Sequence, residues 1–401
     1  MSVRPQLFTR SYCCILTANF LLYFGFWLLI PLLPFYLMET YNGLGEGIVG
    51  IILSCYTVAA LLVRPFSGYL LDTFARKPLY LLAYGIFTIL FLGYIVAGTL
   101  LMFILLRITH GLAFGAVTVG GNTVVVDIMP SARRGEGLGY YGLANNIAMS
   151  TGPMTGLFLH DAHMPFPWIF TVSFLTCLVG FVLAMLVRTP AKPKISRPAL
   201  SLDRFILIPG IRAGIALFLL SVPYGTTTNF VAMYVNHAGL KVVSGMFFVL
   251  IAAGMGVSRL FAGKFVDKGY VTECIHYGFY LVILAFVLLG ACAPISHFSA
   301  ATAEVCFYLV PVFQGVGFGV MFPAYNSLFI NLGRNDQRAT ATSTYLTSWD
   351  LGIGFGIFCG GMIAQAFSFS TVYFIGGALS LVSMIYFNRV VTPHYKTHKL
   401  R

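Results

Sequence analysis

The chain has 401 residues, 58% hydrophobic and only 9% charged, with a formal net charge of +12. A soluble protein of this length cannot cover its surface with so few charges, and several apolar runs exceed the roughly 18 residues that mark a membrane-spanning helix. A soluble enzyme is excluded, and an all-α protein that crosses a membrane many times is the reading to develop.

Twelve spans follow one another, at about 12–38, 47–71, 79–99, 101–126, 138–159 and 166–187, then 212–236, 243–266, 272–293, 303–330, 340–366 and 370–391. The first run continues to Leu37, too long for the apolar region of a cleaved signal peptide. Proline-bearing segments, Pro31–Pro34 in span one and Pro223 in span seven, are expected to interrupt those helices. A polar stretch, 188–211, carries Pro190, Pro193, Pro198 and Pro209. It divides the chain into an N-terminal six-helix bundle (1–187), a cytoplasmic linker (188–211) and a C-terminal six-helix bundle with a tail (212–401). The eight cysteines are scattered through apolar runs without a Cys-x-x-Cys pair, so they read as small buried hydrophobes rather than disulfides or zinc ligands.

The cations fix the orientation. With the N-terminus inside, nearly all of the 24 Lys and Arg fall in cytoplasmic loops and span ends, Arg76, Lys77, Arg133, Arg134, Lys192, Lys268, Arg338 and Lys396 among them. Lys241 alone sits in an outer loop and Arg107 alone lies deep in a span. Both termini are thus expected in the cytoplasm, and the positive charge reflects topology rather than nucleic-acid binding.

The halves repeat. Arg64-x-Phe66-x-Gly68-x-x-x-Asp72 recurs as Arg259-x-Phe261-x-Gly263-x-x-x-Asp267, and a second register pairs Gly111 with Gly315, Phe114 with Phe318, Asn122 with Asn326, Gly152 with Gly356 and Gly156 with Gly360. Two pseudo-symmetric six-span halves follow from this repeat.

The stretch Gly68-Tyr-Leu-Leu-Asp72-Thr-Phe-Ala75-Arg76-Lys77 closes span two. Gly68 and Asp72 share a helix face. Span four opens Arg107-Ile-Thr-His110-Gly111, and span five holds Gly152-Pro153-Met-Thr-Gly156. Between them runs Asp127-Ile-Met-Pro130-Ser-Ala-Arg133-Arg134-Gly135. These resemble motif A, motif B, motif C and the loop after the fourth helix of the major facilitator superfamily, in its drug:proton antiporter-like branch. Ala75 replaces the motif A glycine, and His110 replaces the glutamine of motif B. The resemblance implies the major facilitator fold and alternating access in the inner membrane. It also implies a cytoplasmic gate of Gly68, Asp72, Arg76, Lys77, Asp127 and Arg134, mirrored by Gly263 and Asp267. Asp72 is expected beside the start of span eleven, and Asp267 beside the start of span five. Gly152, Pro153 and Gly156 are associated with exporters.

Arg107 is a full charge at membrane depth, which is costly and usually functional. The expected substrate-cavity residues are Asn19, Tyr23, Arg107, His110, Asn122, Tyr224, Asn229, Gln314 and Asn326. The competing reading is that these polar groups only lock helices together. Asp350, about ten residues into span eleven, is the first candidate for proton coupling, with His110 its rival and a hydrogen-bonded structural acid the alternative. His160 and His163 read as a polar turn rather than a metal site. No phosphate-binding loop, no His-Glu-x-x-His and no nucleophile elbow occurs, so neither a cofactor nor an enzyme is expected. The expected partners are a small-molecule substrate, protons and the lipid bilayer, with no nucleic acid, for a monomeric chain. The sequence reading favours a proton-coupled exporter of small amphipathic molecules. An uptake symporter is the alternative, and a membrane-bound enzyme or receptor a more distant one.

Overall fold

A computed structural model describes residues 6–41, 43–73, 75–130, 133–189, 206–334 and 338–400. Side chains at a few further positions, including Asp72, Arg134 and Asp267, lie outside the described set. Among the described residues fourteen α-helices follow in order: α1 (Arg10–Leu29), α2 (Leu33–Thr40), α3 (Glu46–Thr73), α4 (Arg76–Ile95), α5 (Leu100–Ile128), α6 (Arg134–Asp161), α7 (Phe166–Met185), α8 (Ile211–His237), α9 (Gly245–Asp267), α10 (Val271–Ser296), α11 (Ala300–Leu332), α12 (Arg338–Ala366), α13 (Phe369–Tyr386) and α14 (Thr392–His398). A π-helical turn, Phe387–Val391, joins the last two.

Twelve of these helices have 18 residues or more, which is the twelve-span, all-helical membrane fold anticipated from the apolar runs. Eleven are long and apolar enough to cross a bilayer. The twelfth, α6, is long enough at 28 residues but carries Asn145, Asn146, Ser150, Thr151 and Thr155.

Helix starts follow simple capping chemistry. The hydroxyls of Thr9, Thr99, Ser299 and Ser368 accept from the amides of Tyr12, Met102, Thr302 and Thr371 and cap α1, α5, α11 and α13. Span one breaks between Leu29 and Leu33, where Pro31 and Pro34 remove amide donors. Pro223 does not act this way. The interruption expected there is absent, and α8 runs unbroken from Ile211 to His237 with Pro223 inside it. The hydroxyl of Thr227, four residues on, donates to the Pro223 carbonyl, and Thr226 donates across to Gly356 O of α12 at 2.7 Å. The α8 backbone stays helical through the proline while packed on α12 and α13, as membrane helices supported by their neighbours allow.

The chain forms two compact units, Met1–Tyr36 with Cys55–Ala199 and Leu37–Ser54 with Leu200–Arg401. In the first, α1 packs on α6 and α7, and α4 on α5 and α7. In the second, α8 packs on α12 and α13, and α10 on α11 and α13. The pattern is the same in both, as the sequence repeat requires.

Glycines let these helices meet at backbone distance. On α6, a Cβ at Gly152 would lie 2.9 Å from Phe24 O of α1, and one at Gly156 would run into Leu28 O. On α12, a Cβ at Gly356 would meet the Val222 carbonyl. Polar side chains inside the bundles donate to carbonyls of neighbouring helices. Tyr84 donates to Ala18 O at 2.7 Å, Tyr234 to Leu289 O at 2.7 Å and Ser383 to Ala216 O at 2.6 Å. All eight cysteines are free.

Candidate functional site

In the first unit the polar groups gather around α5. Arg107 is 3% exposed, with its guanidinium carbon 4.3 Å from the centroid of the Tyr56 ring. The aromatic face supplies a desolvated cation with attraction of about 2 kcal/mol. Arg107 Nε is buried and has no hydrogen-bond partner, as is true of the Tyr56 hydroxyl. His110, one turn on and 1% exposed, meets the Tyr94 hydroxyl through Nδ1 at 2.9 Å. Its Nε2 has no partner. The ring is held by Phe87 at 4.4 Å and Phe91 at 4.7 Å between centroids. Phe26 stacks on both Tyr56 and Phe114, and Tyr23 meets Phe114 edge-on. Thus a guanidinium and an imidazole with unused nitrogens sit inside an aromatic wall built by α1, α3, α4 and α5.

Two of the expected cavity residues of this unit stand apart from that wall. Asn19 is buried and donates from its amide to the Asn145 side chain on α6. Asn122 is exposed and donates to Thr118 O of its own helix at 3.0 Å.

In the second unit the equivalent wall lies between α8, α11 and α12. Trp349 packs against Tyr224 at 5.0 Å, Phe318 at 5.6 Å and Phe322 at 4.7 Å. Gln314 is wholly buried, with no partner for either amide atom, and the Asn326 side-chain oxygen is likewise unpaired. Asn229 turns back to Gly225 O of its own helix at 3.0 Å. Asp350 is half-buried and follows Trp349. The arginine in this unit, Arg259 of α9, places its guanidinium carbon 5.7 Å from the Phe322 ring.

The residues of the expected gate divide into those the structure joins and those outside its described set. Arg76 Nη1 donates to both carboxylate oxygens of Asp127, at 2.8 and 2.9 Å, with 19% and 11% side-chain exposure. This charge-assisted pair, with one guanidinium nitrogen between both carboxylate oxygens, ties the start of α4 to the end of α5. Arg76 Nε also caps α3 by donating to Leu71 O at 3.1 Å. Lys77 donates to Met185 O at the end of α7. The side chains of Asp72, Arg134 and Asp267, and the surroundings of Gly68, lie outside the described residues. At Gly263 an added Cβ would meet nothing within 4 Å. Gly152 and Gly156 line the contact of α6 with α1, and Pro153 lies between them inside the helix. His160 stacks on Phe35 and lies 3.9 Å from Asp161, and no cluster of metal-ligating residues forms among the described residues.

The sequence reading missed three partners. Tyr56 and Tyr94 carry no signal of their own, because they are two among 22 tyrosines. Arg259 was readable, since a charge eight positions before the end of an apolar run meets the same criterion that picked out Arg107.

Two helical units with repeated packing and buried polar groups are the architecture of a membrane transporter of the major facilitator kind. Residues 15–357 match the family model described as Major Facilitator Superfamily, and the chain belongs to that family. It is 25% identical to "Multidrug resistance protein 1" of Bacillus subtilis, across 92% of this chain and 94% of that protein. It is also 25% identical to "Quinolone resistance protein NorA" of Staphylococcus aureus, across 86% of this chain and 87% of that one. Among solved structures, the nucleoside transporter NupG superposes with a TM-score of 0.77 at 14% identity over 94% of this chain and 99% of that one, a likeness of fold. The protein is therefore a multi-pass membrane transporter of small molecules, in a family of transporters rather than enzymes.

Proposed function

We propose that this transporter exports small amphipathic, drug-like molecules by alternating access, driven by proton entry. The observation that carries this reading is the match to two proteins named for drug resistance along almost the whole chain. The Gly152-Pro153-x-x-Gly156 contact between α6 and α1 agrees with it, because the resemblance ties this motif to exporters.

In this reading the substrate meets Tyr23, Arg107 and His110 in the first unit and Tyr224, Gln314 and Asn326 in the second. The unpaired nitrogens of Arg107, His110 and Gln314 are groups that a polar substrate atom would satisfy. Asn19, Asn122 and Asn229 already bond to protein and play the smaller part. Asp350 carries the coupling proton, and the Arg76–Asp127 pair steadies the cytoplasmic gate. The protein works as a monomer in the plasma membrane with both termini in the cytoplasm.

The test uses inverted membrane vesicles energised by an imposed proton gradient, with an amphipathic fluorescent dye supplied in the outside medium. Dye should accumulate in wild-type vesicles and the accumulation should collapse with a protonophore. Asp350→Asn should retain dye exchange down its own gradient and lose accumulation. Accumulation in right-side-out vesicles instead would establish uptake, and uphill transport by Asp350→Asn would move the proton to His110.

A further inference from the structure

Arg259 takes no part in the gate and was not among the residues expected to meet the substrate. It lies eight residues before the end of α9, about 12 Å along the helix axis and so within the span. Its Nε is buried without a hydrogen-bond partner. No carboxylate pairs with it among the described residues. A cation inside a span with no counter-charge is costly to keep, and a half-buried guanidinium whose Nε is unpaired has a specific use for two oxygens in one plane.

The surroundings specify what else the occupant carries. Gln314, Phe318, Phe322 and Asn326 are spaced four apart on α11 and share one face. Phe322 underlies the Arg259 guanidinium, and Phe318, Trp349 and Tyr224 continue the aromatic wall. The unpaired Gln314 amide, wholly buried, stands on that same face. The surroundings thus offer a guanidinium for an anion and flat apolar surface for a ring system, with the unpaired Gln314 amide two turns further along α11.

We infer that Arg259 receives the acid group of the transported molecule, and that the substrate class is an aromatic carboxylate or comparable aromatic anion rather than a lipophilic cation. The inference rests on the exporter reading above. The first unit, taken by itself, has a similar group, since Arg107 is buried over an aromatic ring with Nε unpaired and, among the described residues, no carboxylate partner.

Three probes of equal shape test it: 1-pyrenebutyrate, 1-pyrenebutanol and (1-pyrenebutyl)trimethylammonium. Binding is titrated by fluorescence to the full chain in lipid nanodiscs, with empty nanodiscs subtracted. Wild type should bind the butyrate about tenfold more tightly than the ammonium probe. Arg259→Gln should weaken the butyrate about tenfold and leave the alcohol within about twofold. Arg259→Lys, which keeps the charge and loses the fork, should weaken the butyrate about threefold with the alcohol unchanged, and this variant carries the test if Arg259→Gln does not fold. The assignment is overturned if the ammonium probe binds wild type as well as the butyrate, or if the butyrate does not bind. It is also overturned if the variants weaken acid and alcohol equally, which is the signature of a helix tie, or leave both unchanged. Export of the ammonium probe alone would keep the exporter reading and remove this one. Arg259-dependent butyrate binding without export of any probe would do the reverse.

Discussion

Replacing Gly156 by Ala should separate α6 from α1, whereas the same change at Gly142 on the same helix should not. A Cβ at Gly142 meets nothing within 4 Å, so Gly142→Ala gains helix propensity of about 1 kcal/mol. At Gly152 the added atom would lie 2.9 Å from Phe24 O, against an ordinary contact of 3.4 Å or more, so the backbones must part by about 0.5 Å. Gly156 sits closer to the Leu28 carbonyl and demands more. Overpacking of this kind costs about 1–3 kcal/mol, which exceeds the propensity gain. The two alanine variants should therefore differ by about 2 kcal/mol in opposite directions around wild type. For a unit of this size that is about 4–8 °C in apparent Tm, readable by intrinsic fluorescence of the purified protein in detergent. Dye export should fall in Gly156→Ala and persist in Gly142→Ala. Equal Tm values for the two variants would refute the close-packing account of the Gly-Pro-x-x-Gly segment.

Asp127→Asn should break the ion pair with Arg76, and because both side chains are mostly buried, a double-mutant cycle with Arg76→Gln should show coupling of about 1–3 kcal/mol in thermal unfolding. Tyr94→Phe removes the hydrogen-bond partner of His110 that the structure provides, which should cost about 1–3 kcal/mol and show as a lower Tm in the same assay; an unchanged Tm would mean that the imidazole finds water there. Gln365→Ala removes the acceptor of the Gly47 amide at the start of α3 and should speed amide exchange at Gly47–Gly50 by about tenfold without altering exchange in α11.

The fold was legible because its main signals are local. Apolar run length marks the spans, and the repeat of Arg64–Asp72 at Arg259–Asp267 announces two similar halves before any packing is known. Pro31 and Pro34 broke a helix as their chemistry predicts, while Pro223 did not. Pro223 lies in a helix buried along most of its length and packed on α12 and α13, and neighbouring helices can hold a membrane helix through a proline. That compensation depends on a neighbouring helix and is invisible to a rule about proline alone. The candidate site was legible where a charge stood out against lipid, as at Arg107, and obscure where an aromatic partner was one among many, as at Tyr56. Nor does sequence say which asparagines bond to their own helix, as Asn122 and Asn229 do, and which keep an atom unpaired, as Asn326 does.

That last distinction bears on how the two kinds of polar residue act. A side chain that returns to the carbonyl four residues back is satisfied wherever its helix goes, so it adds nothing to the difference between conformations. A side chain left unpaired by the protein is a group whose free energy depends on what comes next to it, whether water, a substrate atom or another helix. Only groups of the second kind can make one state of a transporter respond to an occupant, since a ligand shifts an equilibrium by no more than its differential interaction with the two states. Arg107 Nε, His110 Nε2, Gln314 and Arg259 Nε belong to that kind. They are held against walls of Phe, Tyr and Trp that exclude competing protein partners. Glycine contacts such as Gly152 on Phe24 fix the helices that carry those walls. The close packing that makes each unit rigid is therefore what keeps these few nitrogens unpaired and available.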